Sequence, residues 1–293
     1  MTSRSVIAIA AAAAIAMALS GCRHLPMDGE RAAGQAEAFL RRQIAQSQGF
    51  RQVRAIEALG GTPPGFRFRG EATPQEQIGR CRVLAAAGDR QCAARILAIA
   101  MDPSRPEQCH ALESAAKLSL KTGGQARGQL RSFADGVDRL RAGYSCWLLA
   151  ANGDPEASMR LTRQLESQGD FASTAAYASA FLDELPVGRE AALRQILAGG
   201  TLDSQLAAFA LFALCRHRRL DAEAVRERLA AMDGSTPEKV RRFHYAALGH
   251  AGDGQDLPRL LEAMNHEEPE CAIAAAGAIL QITGNKSNRR HAP

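Results

Sequence analysis

One turn recurs along this chain at a regular stride. Cys81 to Asp89 reads Cys-Arg-Val-Leu-Ala-Ala-Ala-Gly-Asp, and Cys146 to Asp154 reads Cys-Trp-Leu-Leu-Ala-Ala-Asn-Gly-Asp, an offset of 65 residues. Arg95 and Arg160 keep the same register downstream, and Gly252-Asp253 repeats Gly153-Asp154 at an offset of 99. Both offsets are near multiples of about 33, a stride that marks stacked helical hairpins. Breakers fall near the intervening steps, at Gly123-Gly124, Gly188, Leu220-Asp221 and Gly284. A single hairpin cannot bury its own apolar face, so neighbours must cover one another.

The segments between breakers suit helices. Aromatic residues are 5% of the chain, so a core must be built chiefly from Ala and Leu, both strong helix formers. Asp154-Pro155 sets a side-chain acceptor at an N-cap and a proline in the first turn, where its missing N–H costs nothing. Thr236-Pro237 and Glu268-Pro269 repeat the device. Leu257, Leu260, Leu261 and Met264 form one apolar stripe, and Ala272, Ile273, Ala276, Ile279, Leu280 and Thr283 another. Leu206 to Cys215 is apolar nearly all round, which requires cover on two sides, and it is too short to span a membrane. Helices are predicted over 75–87, 90–101, 106–121, 128–141, 143–151, 155–168, 171–184, 188–198, 202–217, 221–232, 236–250, 255–265 and 268–283. The expected fold class is all-α, an α-solenoid of about six stacked hairpins spanning residues 76–284. Residues 22–75 read as a tether with N-terminal helices over 31–48 and 51–59, broken at Gly60 to Gly65. Phe66 and Phe68 then fit either a loop packed on the first repeat or a short extended segment. Residues 285–293 read as a disordered tail.

Ahead of the repeats, Arg4 precedes an uncharged apolar run, Val6 to Met17, followed by Leu19-Ser20-Gly21-Cys22. The run is shorter than the roughly 20 residues a membrane span needs, and residues 1–21 read as a signal peptide. Its ending resembles a bacterial lipoprotein signal: a leucine, two small residues and the cysteine. The resemblance implies cleavage before Cys22, a diacylglyceryl thioether on its sulfur and acylation of the new amino group. Several acyl chains anchor a protein without a span. Arg23, rather than Asp, follows the anchor, and by the same resemblance this points to the periplasmic face of the outer membrane.

The repeats carry two further resemblances. Glu268 to Gly284 is similar to bacterial HEAT-like repeats, with a proline-led, alanine-rich second helix ending in Leu-x-x-x-Gly, and Pro237 to Gly249 is a weaker match. Trp147 to Leu161 resembles the tetratricopeptide-related SEL-type repeat, although its Ala-Ala to Gly spacing is one residue short and the Trp does not recur. These resemblances imply a binding scaffold without shared catalytic residues. Related helical hairpins use disulfides, which implies Cys81–Cys92 across the Gly88-Asp89 turn. Cys109–Cys146 is a second pairing, leaving Cys215 and Cys271 free and buried. Six cysteines allow many other connectivities, and none shows the C-x-x-C spacing of a zinc site.

Candidate chemistry is sparse. His266-Glu267-Glu268 with Cys271 contains metal-ligand types, but the spacing matches no standard site and Pro269 starts a helix between them; no metal or cofactor is expected. His244 and His250 fall on different faces of one helix. Cys215 beside Arg216 and His217 fits an activated thiol superficially, and also fits the core stripe of its helix. No enzymatic activity is expected. In solenoids the second helices commonly line the concave face, where Lys117, Lys121, Tyr177, Arg216, Arg218, Arg241, Arg242 and Tyr245 would form a binding surface. Arg and Tyr are enriched at interfaces, yet the same residues suit an ordinary solvated face. The formal charge is +5, and an exported address argues against nucleic acid as partner. The expected function is a lipid-anchored scaffold or adaptor that binds another protein in the cell envelope. An immunity-type inhibitor of a toxic periplasmic effector and a cell-wall enzyme are the alternatives.

Overall fold

The structure, a computed structural model, describes residues 28–201 and 204–290, the last six through their backbone alone. The segment expected to be a signal peptide, 1–21, lies outside the described residues, as do Cys22 and Arg23. The fold is all-α, with no strand among the described residues. In chain order the helices are α1 (Gly29–Gln46), α2 (Gly49–Leu59), α3 (Pro74–Ala86), α4 (Arg90–Ala100), α5 (Gln108–Lys117), α6 (Gly124–Ala134), α7 (Arg139–Ala151), α8 (Pro155–Glu166), α9 (Ala172–Ser179), α10 (Val187–Gly199), α11 (Gln205–Arg216), α12 (Ala222–Ala231), α13 (Glu238–Ala251), α14 (Leu257–His266) and α15 (Pro269–Arg290). A 3-10 turn, Gly254–Asp256, precedes α14. Seven of the fifteen starts are set by a side-chain acceptor: Asp28, Thr73, Asp89, Asp138, Asp154, Ser204 and Asp221 each accept a first-turn N–H.

The helices form two layers. In the inner layer α2, α3, α5, α7, α9, α11, α13 and α15 each pack on the next. The outer helices cover their backs, and α11, buried from Ala207 to Cys215, is covered by α10 on one side and by its inner neighbours α9 and α13 on others. The run then closes, because α15 packs on both α1 and α2. The fifteen helices of the described residues therefore make a ring in which the first and last of them touch. Helices α1 and α2 belong to it: Ala32, Ala36, Leu40, Ile44, Val53 and Ile56 sit in the same core cluster as the repeats. Phe66 and Phe68 pack against that core from the loop before α3.

Neighbouring inner helices run parallel. Their C-terminal ends meet where Asn152 Nδ2 donates to Leu120 O at 3.0 Å, and where His217 Nε2 lies 2.8 Å from Ser179 O. Their N-terminal ends meet where Glu270 N donates to Glu238 Oε1 at 3.2 Å. At the closing seam Arg54 pairs with Glu270 near one end, and Gly277 meets Ala58 further along both helices. Small residues set these spacings. A Cβ on Gly277 would lie 3.1 Å from Ala58 Cβ, and one on Gly249 would lie 2.8 Å from Ala278 Cα.

Several boundaries differ from the sequence reading. The helix expected over 128–141 is two helices, because Gly136 follows α6 and Asp138 caps α7, accepting from Leu140 N and Arg141 N at 3.1 Å. The helix expected over 106–121 ends at Lys117, just before Ser119 at φ 47°. The helix expected over 171–184 ends at Ser179. Helix α15 continues through Gly284 to Arg290, into the segment expected to be a disordered tail. No helix of the described residues is long and apolar enough to cross a membrane.

Candidate functional site

The inner helices bring side chains from distant parts of the sequence together on the inner side of the ring, its lumen. Tyr177 of α9 stacks on Phe209 of α11, with ring centroids 4.9 Å apart, and meets Trp147 of α7 and Phe243 of α13 edge-on at 5.6 Å. Phe209 and Phe243 are edge-to-face at 4.7 Å. Four inner helices thus share one aromatic cluster, a geometry that adds to simple area burial. Trp147 is fully buried within it, and its Nε1 has no acceptor.

Cations surround this cluster. Lys117, the last residue of α5, holds its Nζ 4.9 Å from the Tyr177 ring and 5.5 Å from Phe181, within cation–π range. It also pairs with Glu113 Oε1 at 2.7 Å. Arg82 of α3 pairs with Glu57 of α2 at 2.7 Å and donates to Ser114 Oγ at 3.2 Å. Arg54 and Arg242 share one carboxylate, Glu270. Arg216 sits over Phe181 at 4.7 Å and Lys239 over Phe209 at 5.8 Å, and among the described residues neither has a carboxylate within ion-pair distance. Six cations therefore face three carboxylates, Glu57, Glu113 and Glu270.

The pKa shifts follow this imbalance. Burial works to neutralise Glu113, but Lys117 and Arg82 outweigh it and hold its carboxyl below the usual range. Burial opposes the charge of Arg82, and Glu57 outweighs it. Burial, then Arg242 and Arg54, push the Lys239 ammonium down. Burial and Arg54 likewise lower Arg242, against the pull of Glu270. His250 is lowered to about 4 by burial and by Arg216, Arg218 and His217. Burial raises the Tyr144 phenol, with Glu113 adding to it. At neutral pH the phenol keeps its proton and Glu113 is ionised, so the wall displays fixed charge and hydrogen-bond donors.

Of the eight residues expected on the binding surface, Lys117, Tyr177, Arg216 and Arg242 lie against the aromatic rings of the inner helices. Arg218 is exposed on the turn after α11, at φ 56°, beside His250. Lys121 is exposed on the loop after α5. Arg241 and Tyr245 differ from expectation: both are buried, on the outer side of α13. Arg241 pairs with Glu267 at 3.2 Å and with Glu268, and donates to Thr236 O at 2.6 Å; Tyr245 donates to Glu267 at 3.0 Å. They line a groove of about 780 Å³ with Met232, Arg259 and His266. A helix has two sides, and the one-dimensional pattern put both on the exposed one.

Glu267, Glu268 and Cys271 do gather, with one ligand-type atom of each within 4.8 Å of the others. Arg241 already occupies both carboxylates, and burial pushes the Cys271 thiol up to about 12, so it is a neutral donor to Glu238 O. These groups form an ion-pair cluster rather than a prepared ligand set. Cys215 is likewise pushed to about 12 by burial, with Asp221 adding to it. The disulfides expected at Cys81–Cys92 and Cys109–Cys146 are not formed; all six described cysteines are free thiols. Cys92 is pushed to about 12 by burial and by a hydrogen bond with Cys81, so that pair is adjacent across the turn as its spacing implied. Cys109 instead faces Asp138 and Arg141, whereas Cys146 faces Arg160 and Asp135.

Arg54, Glu113, Phe209, Lys239, Phe243 and Glu270 were not singled out in the sequence, and Trp147 only as part of a repeat motif. Arg54 lies in the N-terminal helix expected over 51–59, outside the expected repeats, and reaches Glu270 only because the ring closes. A signal existed for Lys239, since lysine is rare here and this one begins an inner helix. Comparison with family models, with curated proteins and with solved structures finds no match.

Proposed function

We propose that this chain is a lipid-anchored protein of the cell envelope that binds another protein, with a closed array of helical-hairpin repeats as its scaffold. The observation that carries the reading is the convergence of Lys117, Arg216, Lys239 and Arg242 with Tyr177, Phe209 and Phe243 on one lumen. Cations in excess of carboxylates, mounted on aromatic rings, suit an acidic partner. Placement at the outer membrane rests on the resemblance of Leu19 to Cys22 to a lipoprotein signal and on Arg23.

Mild crosslinking in cells, affinity capture and mass spectrometry test this. A partner that is captured by the wild type and lost from a Lys239→Glu, Arg216→Glu variant supports docking at the lumen. Unchanged capture by that variant contradicts it. A single near-stoichiometric toxic partner would mark the immunity-type inhibitor, and several envelope proteins a scaffold. Replacing Cys22 by Ser should release the protein from the membrane fraction, and unchanged fractionation counts against the anchor.

A further inference from the structure

The end of the lumen formed by the N-terminal halves of α13 and α15 concentrates positive charge. Arg54 from α2 and Arg242 from α13 both lean on Glu270. That carboxylate cannot satisfy ten guanidinium N–H donors, since a carboxylate offers about four lone-pair sites. Lys239, one turn before Arg242, is exposed and has no carboxylate partner among the described residues. Arg54 and Arg242 each add to the repulsion it feels, and Glu113 across the lumen offsets only part of it. Glu238 is committed nearby, accepting from Glu270 N. The parallel starts of α13 and α15 bring two positive dipole ends to the same place. Phe209 lies beneath Lys239, and Phe243 beneath Arg242 at 4.9 Å.

A folded protein relieves such crowding most simply by separating the cations, and this one gathers them from three helices. We propose that Arg54, Lys239 and Arg242 form a site for the oxyanion group, carboxylate or phosphate, of a ligand that reaches this end of the ring at the exposed Lys239, with Phe209 and Phe243 beneath the cations. Guanidinium and ammonium groups together suit such a group, the former giving paired N–H donors and the latter a mobile point charge. This deepens the reading of the lumen as the docking mouth and rests on it: the acidic element of the partner would be a chain-terminal or side-chain carboxylate, or a phosphate ester.

The test is calorimetric titration of the full chain with three probes: inorganic phosphate, a short acidic peptide with a free C-terminal carboxylate, and the same peptide amidated at its C-terminus. Binding of phosphate, or of either peptide, that weakens on the order of 10-fold or more in Lys239→Glu supports the site. Phosphate alone identifies a phosphate-bearing ligand, the free-acid peptide alone a terminal carboxylate, and both peptides equally a side-chain carboxylate. The effect should also fade as salt is raised. In parallel, acylation of Lys239 by an amine reagent should slow when the bound probe is present, while acylation of Lys121 is unchanged. Lys239 is exposed, so its variant should melt at the wild-type temperature. Absence of binding by all three probes, or equal binding by wild type and Lys239→Glu, overturns the proposal. Loss of probe binding with unchanged partner capture would keep the anion site and refute docking of the partner at the lumen.

Discussion

Arg241 and Arg242 are adjacent on one helix and live in opposite electrostatic worlds. Arg241 is buried on the outer side of α13, where Glu268 first and then Glu267 raise its pKa despite the burial, and it pairs with both carboxylates and donates to Thr236 O. Arg242 faces the lumen, shares a single carboxylate with Arg54 and is pushed down by burial and by that neighbouring cation. The first arrangement is what a stable fold needs, because a buried charge without a partner is costly. The second is suboptimal for stability alone and makes sense if the missing negative charge arrives from outside.

Acid should act through His250, beside Arg216 and Arg218, and equally through His244 on the outer side of α13. His244 is buried there with its Nδ1 2.9 Å from Val240 O, and burial lowers its pKa from 6.5 to about 4. The ring is neutral in the fold and takes up a proton more readily once unfolded. Its contribution is therefore present above pH 6.5 and is lost as the pH falls toward 4, by up to about 3 kcal/mol. Denaturant unfolding across that range should show the loss, and His244→Asn should flatten the slope; equal slopes would remove His244 as its source.

Arg241→Ala should cost about 2 kcal/mol, less than a fully buried pair because Glu268 is half exposed, and lower Tm by roughly 4–8 °C. Gly277→Ala comes next. Its new Cβ must push on Ala58 Cβ at 3.1 Å, at a cost of about 1 kcal/mol read from the urea midpoint. Arg242→Ala should move stability by no more than about 0.5 kcal/mol, since the lost ion pair and the lost repulsion offset each other. It should nevertheless weaken capture of the partner. If Arg241→Ala and Arg242→Ala lowered Tm equally, the contrast between the two sides of α13 would collapse.

Much of the fold was legible because it is local. Repeated Gly-Asp turns, Asp-Pro starts and alanine-rich stripes place most helices within a few residues. The break at Gly136 to Asp138 was lost because one short polar turn inside a long amphipathic stretch looks like a solvated helix face. Ring closure was not legible. It depends on Gly277 approaching Ala58 and on Arg54 reaching Glu270, contacts that span more than 200 positions of the sequence. The candidate site inherits that limit. Lys117, Tyr177, Arg216 and Arg242 could be suspected from their helices, but Arg54 and Glu270 become neighbours only through closure. Arg241 and Tyr245 were misplaced because helical phase alone does not say which side meets the outer layer.

The lumen exists only if the ring is closed, and the seam can be trapped directly. A Cβ at position 277 lies 3.1 Å from Ala58 Cβ, near the separation of about 3.8 Å found across disulfides. The variant Ala58→Cys, Gly277→Cys should, on mild oxidation of the folded protein, form a 58–277 bond that peptide mapping detects and reductant releases. If both thiols instead stay free and react with maleimide in the folded protein, the ends are apart, and the account of a closed, charge-lined ring is wrong.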